Sequence, residues 1–183
     1  VAGEDIRVAG SIHSGGTLQA GGGIRADWGI EVQQALVCGG DLRAAWDLVC
    51  HGKLSLQGNA FVGQDLIVHG QLECGKGLNA GGAIVCADSI RTGQGMLAGG
   101  TISGGMHLEA GWGIKSGESI QANGSIKVGE SLSAGDEIRA GAGYGVYAGL
   151  NVQLETWESS AQVRAQKKPD GLMSGCWAGP RVV

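Results

Sequence analysis

The feature that most constrains this chain is an aliphatic residue that recurs at every sixth position from Ile6 to Leu150. All but three of these positions hold Ile or Leu, the exceptions being Ala60, Met96 and Tyr144. No insertion interrupts the spacing along this stretch. A fixed period carried by one residue class is the signature of a repeat architecture, so the six-residue unit predicts the fold.

Each repeat has the pattern of one short strand followed by one bend. The residue two positions after the aliphatic one is uncharged throughout, and a mostly polar residue separates the pair. Alternation of this kind points two side chains to one face of a three-residue strand. The next position is most often Gly, with Asp27 and Asn123 among the exceptions. These residue types tolerate positive φ, so we expect left-handed backbone at each corner.

Strands of three residues cannot bury a face alone, and the period is far from the 3.6 residues of a helix, so the repeats must stack. Three strands around a triangular core use about 18 residues per coil, which gives about eight coils. The predicted fold class is all-β: a single-stranded, triangular, parallel β-helix, or β-solenoid. We assign residues 1–152 to the solenoid and residues 153–183 to a C-terminal tail that caps the solenoid or folds back over it.

The charge and the apolar content exclude several classes of partner. The net charge is -4, whereas a protein that binds nucleic acid presents clustered Lys and Arg to the phosphates. No run of 18 apolar residues exists, so we expect no transmembrane segment. No charged leader with an apolar core opens the chain. We therefore expect a cytoplasmic protein without nucleic acid as a partner.

The cysteines agree with a reducing compartment. Cys38, Cys50, Cys74 and Cys86 all stand at the second inward position, and Cys176 lies in the tail. Inward cysteines that share a column are two coils apart, about 9.6 Å, which is too far for a disulfide. Thiols on separate columns do not converge on a metal ion. We expect these residues to act as small hydrophobic side chains, with no metal and no cofactor.

The repeated I-x-A-G and L-x-V-G sequence pattern resembles that of bactofilins, the polymer-forming bacterial cytoskeletal proteins. Ile6-Arg7-Val8-Ala9, Leu66-Ile67-Val68-His69 and Lys127-Val128-Gly129 carry the resemblance. It implies a right-handed solenoid that works by end-to-end assembly. The pattern is less similar to that of hexapeptide acyltransferases, because long residues such as Arg7 and Arg25 follow the aliphatic position here.

A corner histidine acts as the general base in hexapeptide acyltransferases, so the histidines need comment. His51 and His69 both follow a strand at the corner position and are one coil apart. We expect them to stack on each other. No insertion projects from the solenoid to build a pocket beside them, so the sequence favours a protein that is not an enzyme.

The outward positions indicate a protein-binding surface in the N-terminal half. One column contains Val49, Ile67 and Val85, and Phe61 and Leu97 lie outward on the adjoining face. Contiguous exposed apolar surface usually marks a binding site, and the tail or a partner could cover it.

Two ladders accompany the apolar residues. Trp28 and Trp46 are one coil apart at a corner, where they could anchor a partner or stack on each other. Arg7, Arg25 and Arg43 form a ladder of like charges, which costs stability unless an acidic partner or a carboxylate interleaves.

Three hypotheses follow for the function. The first is a non-catalytic scaffold or protein-binding module of bactofilin type, which self-associates through its ends or outer faces. The second is an acidic protein that neutralises another protein, as an immunity factor does. The third is a hexapeptide acyltransferase that uses His51 or His69. We expect a protein partner, either a second copy or another protein.

Overall fold

The computed structural model describes residues 1–180, and these residues form a parallel β-solenoid with three sheets. The chain visits the three sheets in turn, so each sheet receives every third strand. The first sheet contains β1 (Ile6–Val8), β4 (Ile24–Ala26), β7 (Leu42–Ala44), β10 (Ala60–Val62), β13 (Leu78–Ala80), β16 (Met96–Ala98), β19 (Ile114–Ser116), β22 (Leu132–Ser133), β25 (Gln162–Arg164) and β27 (Cys176–Trp177).

The other two sheets have the same parallel arrangement. The second sheet contains β2 (Ile12–Ser14), β5 (Ile30–Val32), β8 (Leu48–Cys50), β11 (Leu66–Val68), β14 (Ile84–Cys86), β17 (Ile102–Gly104), β20 (Ile120–Ala122) and β23 (Ile138–Arg139). The third sheet contains β3 (Leu18–Ala20), β6 (Leu36–Cys38), β9 (Leu54–Leu56), β12 (Leu72–Cys74), β15 (Ile90–Thr92), β18 (Leu108–Ala110), β21 (Ile126–Val128), β24 (Val146–Tyr147) and β26 (Leu172–Ser174).

Neighbouring strands pair in a register of 18 residues. Leu66 of β11, for example, lies between Leu48 of β8 and Ile84 of β14. All three of these side chains are fully buried. The six-residue repeat therefore produces columns of stacked aliphatic side chains, and the columns of the three sheets meet in one hydrophobic core. The predicted fold class is confirmed.

Glycine fills the corners for a different reason from the one that the sequence suggested. Among the described residues, positive φ is confined to Gly143, Gly149, Gly171, Gly175 and Gly179, all of them outside the regular corners. The expectation of left-handed backbone at each corner is therefore wrong.

Close stacking of the coils explains the corner glycines instead. A Cβ at Gly99 would lie far inside van der Waals contact of the carbonyl oxygen of Gly81, one coil below. Ala45 has a methyl group at the same position, and its N–H is shared between the carbonyl oxygens of Ala26 at 3.2 Å and Trp28 at 3.1 Å. Ala87, at the same position, keeps a single hydrogen bond to the carbonyl oxygen of Val68 at 2.9 Å, so some corners accommodate a side chain and the close approach is local to corners such as that of Gly99.

Thiols supply hydrogen bonds to the corners from within the core. Each of the four inward cysteines donates its S–H to a corner carbonyl of the preceding coil. The pairs are Cys38 with Gly22 at 3.3 Å, Cys50 with Gln34 at 3.3 Å, Cys74 with Gly58 at 3.3 Å and Cys86 with Gly70 at 3.0 Å. Burial raises the pKa of all four thiols, so the S–H donor persists at neutral pH. They are free cysteines, as predicted.

Polar side chains bridge the coils at the position just before several of the strands. Asp41 Oδ1 accepts hydrogen bonds from Asn59, from the backbone N–H at 2.7 Å and from Nδ2 at 3.2 Å. Asp47 accepts the N–H of Asp65 at 3.0 Å, and Asp65 accepts the N–H of Ala83 at 2.7 Å. A carboxylate from one coil thus satisfies a corner N–H of the next.

Asp41 makes the stability depend on pH. Its pKa is held below the ordinary value of 3.8, chiefly by the hydrogen bond from the Asn59 N–H. Because the folded pKa is the lower one, the stabilisation is fully present above about pH 4 and is lost as the pH falls through the folded pKa. We expect Asp41→Ala to lower the free energy of unfolding by about 0.5–1 kcal/mol at pH 7, where the exposed bond is screened by water.

Urea denaturation at pH 7 and at pH 3 measures this effect, and the difference between wild type and Asp41→Ala should shrink at pH 3. Asp170→Ala serves as the control, because the Asp170 carboxylate accepts no hydrogen bond from the described residues. An equal loss in both variants would mean that the bridge from Asp41 has no role in stability.

The regular register ends earlier than the sequence suggested. Tyr144 and Leu150 were expected to face inward, but they are 48% and 53% exposed. Val146, fully buried, pairs with Ile126 instead, a separation of 20 residues rather than 18. Two extra residues in the turn that contains Gly143 shift the phase.

The tail continues the solenoid at its C-terminal end. β25 pairs with β22, and β26 pairs with β24, so the first and third sheets grow beyond residue 152. The stack therefore has about ten turns rather than the eight expected, as the ten strands of the first sheet show. A short 3-10 helix, Leu154–Thr156, and α1, Trp157–Ser160, precede β25. Val163 is fully buried and Trp177 packs against the core.

Candidate protein-binding surface

An apolar column runs along the outside of the second sheet. Ile67 lies in register between Val49 and Val85, as the sequence predicted. Glu31 of β5 precedes the column and Ser103 of β17 follows it, so the apolar stretch is three strands wide. Val85 is 39% exposed. The described part of the tail adds its strands to the other two sheets and none to this one.

The outside of the first sheet is a column that begins with arginine and becomes apolar. The order is Arg7, Arg25, Arg43, Phe61, Asn79 and Leu97. The guanidinium carbon of Arg43 lies 4.9 Å from the centre of the Phe61 ring, a cation–π contact. Phe61 and Leu97 are 39% and 41% exposed, so both remain accessible.

Carboxylates at the corners neutralise the first two arginines. Arg7 contacts Asp5 at 2.8 Å, and Nε of Arg25 contacts Asp27 at 3.1 Å. The ladder was expected to need an acidic partner or a carboxylate, and Asp5 and Asp27 supply carboxylates to the first two arginines from the same coils. These pairs are exposed and contribute little to stability, but they remove the repulsion between stacked guanidinium groups.

Two tryptophans join the two outer faces. Trp28 and Trp46 stack with ring centroids 6.1 Å apart and an interplanar angle of 15°. They lie at the corner between the first and second sheets, so Trp46 separates the Arg43 strand from the Val49 strand. The rings are 60% and 58% exposed despite the mutual contact. One edge of the solenoid therefore carries a surface that contains all ten residues singled out in the sequence.

The histidines lie at the next corner, on the far side of the apolar column. His51 and His69 stack with ring centroids 4.9 Å apart and an interplanar angle of 13°, as predicted. Nε2 of His51 is 3.8 Å from Oε1 of Glu31, and Nδ1 of His13 is 3.3 Å from Oε2 of the same carboxylate. Among residues 1–180, no group of three His, Cys, Asp or Glu side chains could hold a metal ion.

The structure also reveals features that the repeat pattern did not indicate. His107 accepts the N–H of Ser125 through Nδ1 at 3.0 Å and meets the Tyr144 ring edge-on at 5.5 Å. Trp112 and Met106 are exposed apolar residues at two other corners, 53% and 45% exposed. The large residues at these corner positions are visible in the sequence. The pairing of His107 with Ser125 is not, because it arises from hydrogen bonds between successive coils at the residue that precedes a strand.

No family model, curated protein or solved structure matches the chain. Within the described residues, no helix is long and apolar enough to cross a membrane.

Proposed function

We propose that this chain is a rigid, non-catalytic scaffold that self-associates through the edge surface around its second sheet, in the manner of a bactofilin-type cytoskeletal protein. The observation that carries the proposal is the outward column of Val49, Ile67 and Val85, in which Val85 is exposed and Val49 and Ile67 are half-buried, between strands whose outward residues are polar. Contiguous apolar surface of this kind marks an interaction site on a folded protein.

The surroundings of the column support a protein partner. Aromatic and arginine side chains are the residue types that contribute most to protein interfaces, and Trp46, Phe61 and Arg43 lie together at the adjoining corner. The hydrogen-bonded strands below hold these side chains in place, so little conformational entropy is lost when they are covered. A flat apolar face in a repeating array suits a second copy that presents the same face.

The geometry around the histidines favours a binding role over acyl transfer. His51 and His69 stack on an open corner, and the strands on both sides are joined by three-residue turns without an inserted loop. A general base needs a substrate held within hydrogen-bonding distance and shielded from water, and such shielding comes from walls around the base. The proposal also places the protein in a reducing compartment, where its free thiols persist.

The substitution Ile67→Glu tests the proposal. Ile67 is at the centre of the column, and a second copy would have to bury the new carboxylate without a cation beside it, which costs several kcal/mol. We expect the wild-type chain to form assemblies and the Ile67→Glu variant to remain a monomer, as measured by sedimentation velocity.

Gln19→Glu is the matched control. Gln19 lies outward on the third sheet, so this substitution adds the same charge to a different face. This variant should assemble as the wild type does. Equal assembly of Ile67→Glu and the wild type would exclude the column as the interface.

A one-to-one protein-binding role of the immunity type remains the second candidate. It is favoured by the stacked pair of Trp28 and Trp46, whose rings are more than half exposed although they contact each other. In that case the chain alone would be a monomer, and substitution of Trp46 by alanine would weaken the complex while leaving the chain's own mass unchanged.

A further inference from the structure

The second sheet stops one coil before its neighbours. Its last strand is β23, whereas the first and third sheets each gain a strand in the next coil, β25 and β26. The edge of β23 is therefore flanked on both sides by sheets that continue. In this coil the second sheet therefore has no strand.

A short connection explains the missing strand. Seven residues, 165–171, join β25 to β26, whereas nine residues, 27–35, make the equivalent passage from β4 to β6. Two residues fewer cannot follow the full path around the second sheet, and Pro169 lacks an N–H for a strand ladder. Gln166 anchors the connection through its N–H to the carbonyl oxygen of Asp136 at 2.7 Å. Beyond this point the connection makes no backbone hydrogen bond to β23.

The edge of β23 consequently carries backbone groups without partners. In a parallel ladder, alternate residues direct both N–H and C=O to the same neighbouring strand. Ile120 N–H pairs with the carbonyl oxygen of Glu137 at 2.9 Å, and Ala134 N–H pairs with that of Arg164 at 2.9 Å. The corresponding groups of Ile138 and Ala140 have no hydrogen-bond partner among residues 1–180. A row of unpaired backbone groups at a strand edge is a template for another strand. Ile138 is itself buried and Ala140 half-buried, so a strand must enter the space beside β23 to reach these groups.

A groove lies along this edge, and cationic groups outnumber acidic ones around it. The turn that contains Gly143 and Tyr144 forms one wall, and the connection from Lys167 to Gly171 forms the other. The charged residues that line the groove are Arg139, Lys167 and Lys168 with Glu137 and Asp170. Glu137 already accepts a hydrogen bond from Nε2 of Gln121 at 3.1 Å. The net positive charge here contrasts with the net charge of -4 for the whole chain.

We propose that this groove binds an extended, acidic peptide segment of a partner protein, which adds to β23 as the missing strand of the second sheet. Backbone groups of the peptide pair with those of Ile138 and Ala140, the recognition mode known as β-augmentation. An outward side chain of the peptide stands directly beside Arg139, where an opposite charge is favoured. Pro169 lines the groove and is already buried, so the inward side chains of the peptide have little room and must be small. The occupant therefore alternates small and acidic residues.

The probe is the synthetic peptide acetyl-Ser-Ala-Glu-Ala-Gly-Ser-amide, with lysine in place of glutamate in the control peptide. In amide NMR spectra of the whole chain, we expect saturable shifts that are largest at Ile138 and Ala140, and slowed hydrogen exchange at both amides. The glutamate peptide should bind about fivefold more tightly than the lysine peptide, the ratio expected for one cross-strand charge pair.

Arg139→Glu should reverse the preference between the two peptides, whereas Lys115→Glu, outward on the first sheet, should leave it unchanged. Ile67→Glu should also bind the peptide normally, so this test is independent of self-association. Shifts spread over the whole surface, or no preference between the peptides, would overturn the proposal. Strong exchange protection of the Ile138 and Ala140 amides without peptide would overturn it too, since the edge would then be occupied by the chain itself.

Discussion

Replacing Leu66 with alanine is expected to lower the free energy of unfolding by about 2–5 kcal/mol, because the side chain leaves a cavity in a closely packed column. Leu66 is fully buried between Leu48 and Ile84, which are also inaccessible to solvent. The rigid hydrogen-bonded coils on both sides limit the collapse of the cavity. Urea denaturation followed by circular dichroism measures the change.

The control is the next residue in the chain. Ile67 points outward from the same strand, so Ile67→Ala should cost less than about 1 kcal/mol although it removes a similar volume. Similar losses for Leu66→Ala and Ile67→Ala would contradict the inward and outward alternation on which the fold depends.

Replacing Gly99 with valine is expected to cost about 1–3 kcal/mol through overpacking. A Cβ at Gly99 would press on the carbonyl oxygen of Gly81, and a backbone atom held in a ladder has little freedom to move. The loss measures how closely successive coils approach at the corner.

Gly15 stands at the equivalent corner position of the first coil, and a Cβ there would meet no atom within 4 Å. Gly15→Val should therefore change the stability by less than about 1 kcal/mol, as determined by the same urea titration. If both valine variants lost equal stability, the backbone preference of glycine, rather than close stacking, would explain its place at the corners.

The periodic part of the fold could be predicted from the sequence because one interaction dominates it. Burial of an aliphatic residue at every sixth position leaves stacking as the only arrangement, so the strands and the inward positions of residues such as Leu66 and Ile84 follow directly. The contacts of Ile67 with its column and of Trp28 with Trp46 were predictable for the same reason, since both follow from an 18-residue coil.

Features that depend on local departures from the period could not be predicted in this way. The two-residue shift near Gly143 is not visible in the sequence, because the large side chain of Tyr144 stands where the six-residue pattern expects an inward residue, although Val146 takes that place in the structure. A glycine at a corner is compatible with left-handed backbone or with close stacking of the coils, and only the φ angles and the distances between coils in the structure distinguish the two. The missing strand beside β23 depends on the path of residues 165–171, which have lost the repeat altogether.

The most direct test of the proposed function is the mass of the unmodified chain in solution, measured by light scattering over a dilution series. A self-associating scaffold should show a multiple of 18.5 kDa at high concentration that falls towards 18.5 kDa on dilution. A constant mass of 18.5 kDa at every concentration would contradict self-association through the Val49, Ile67 and Val85 column.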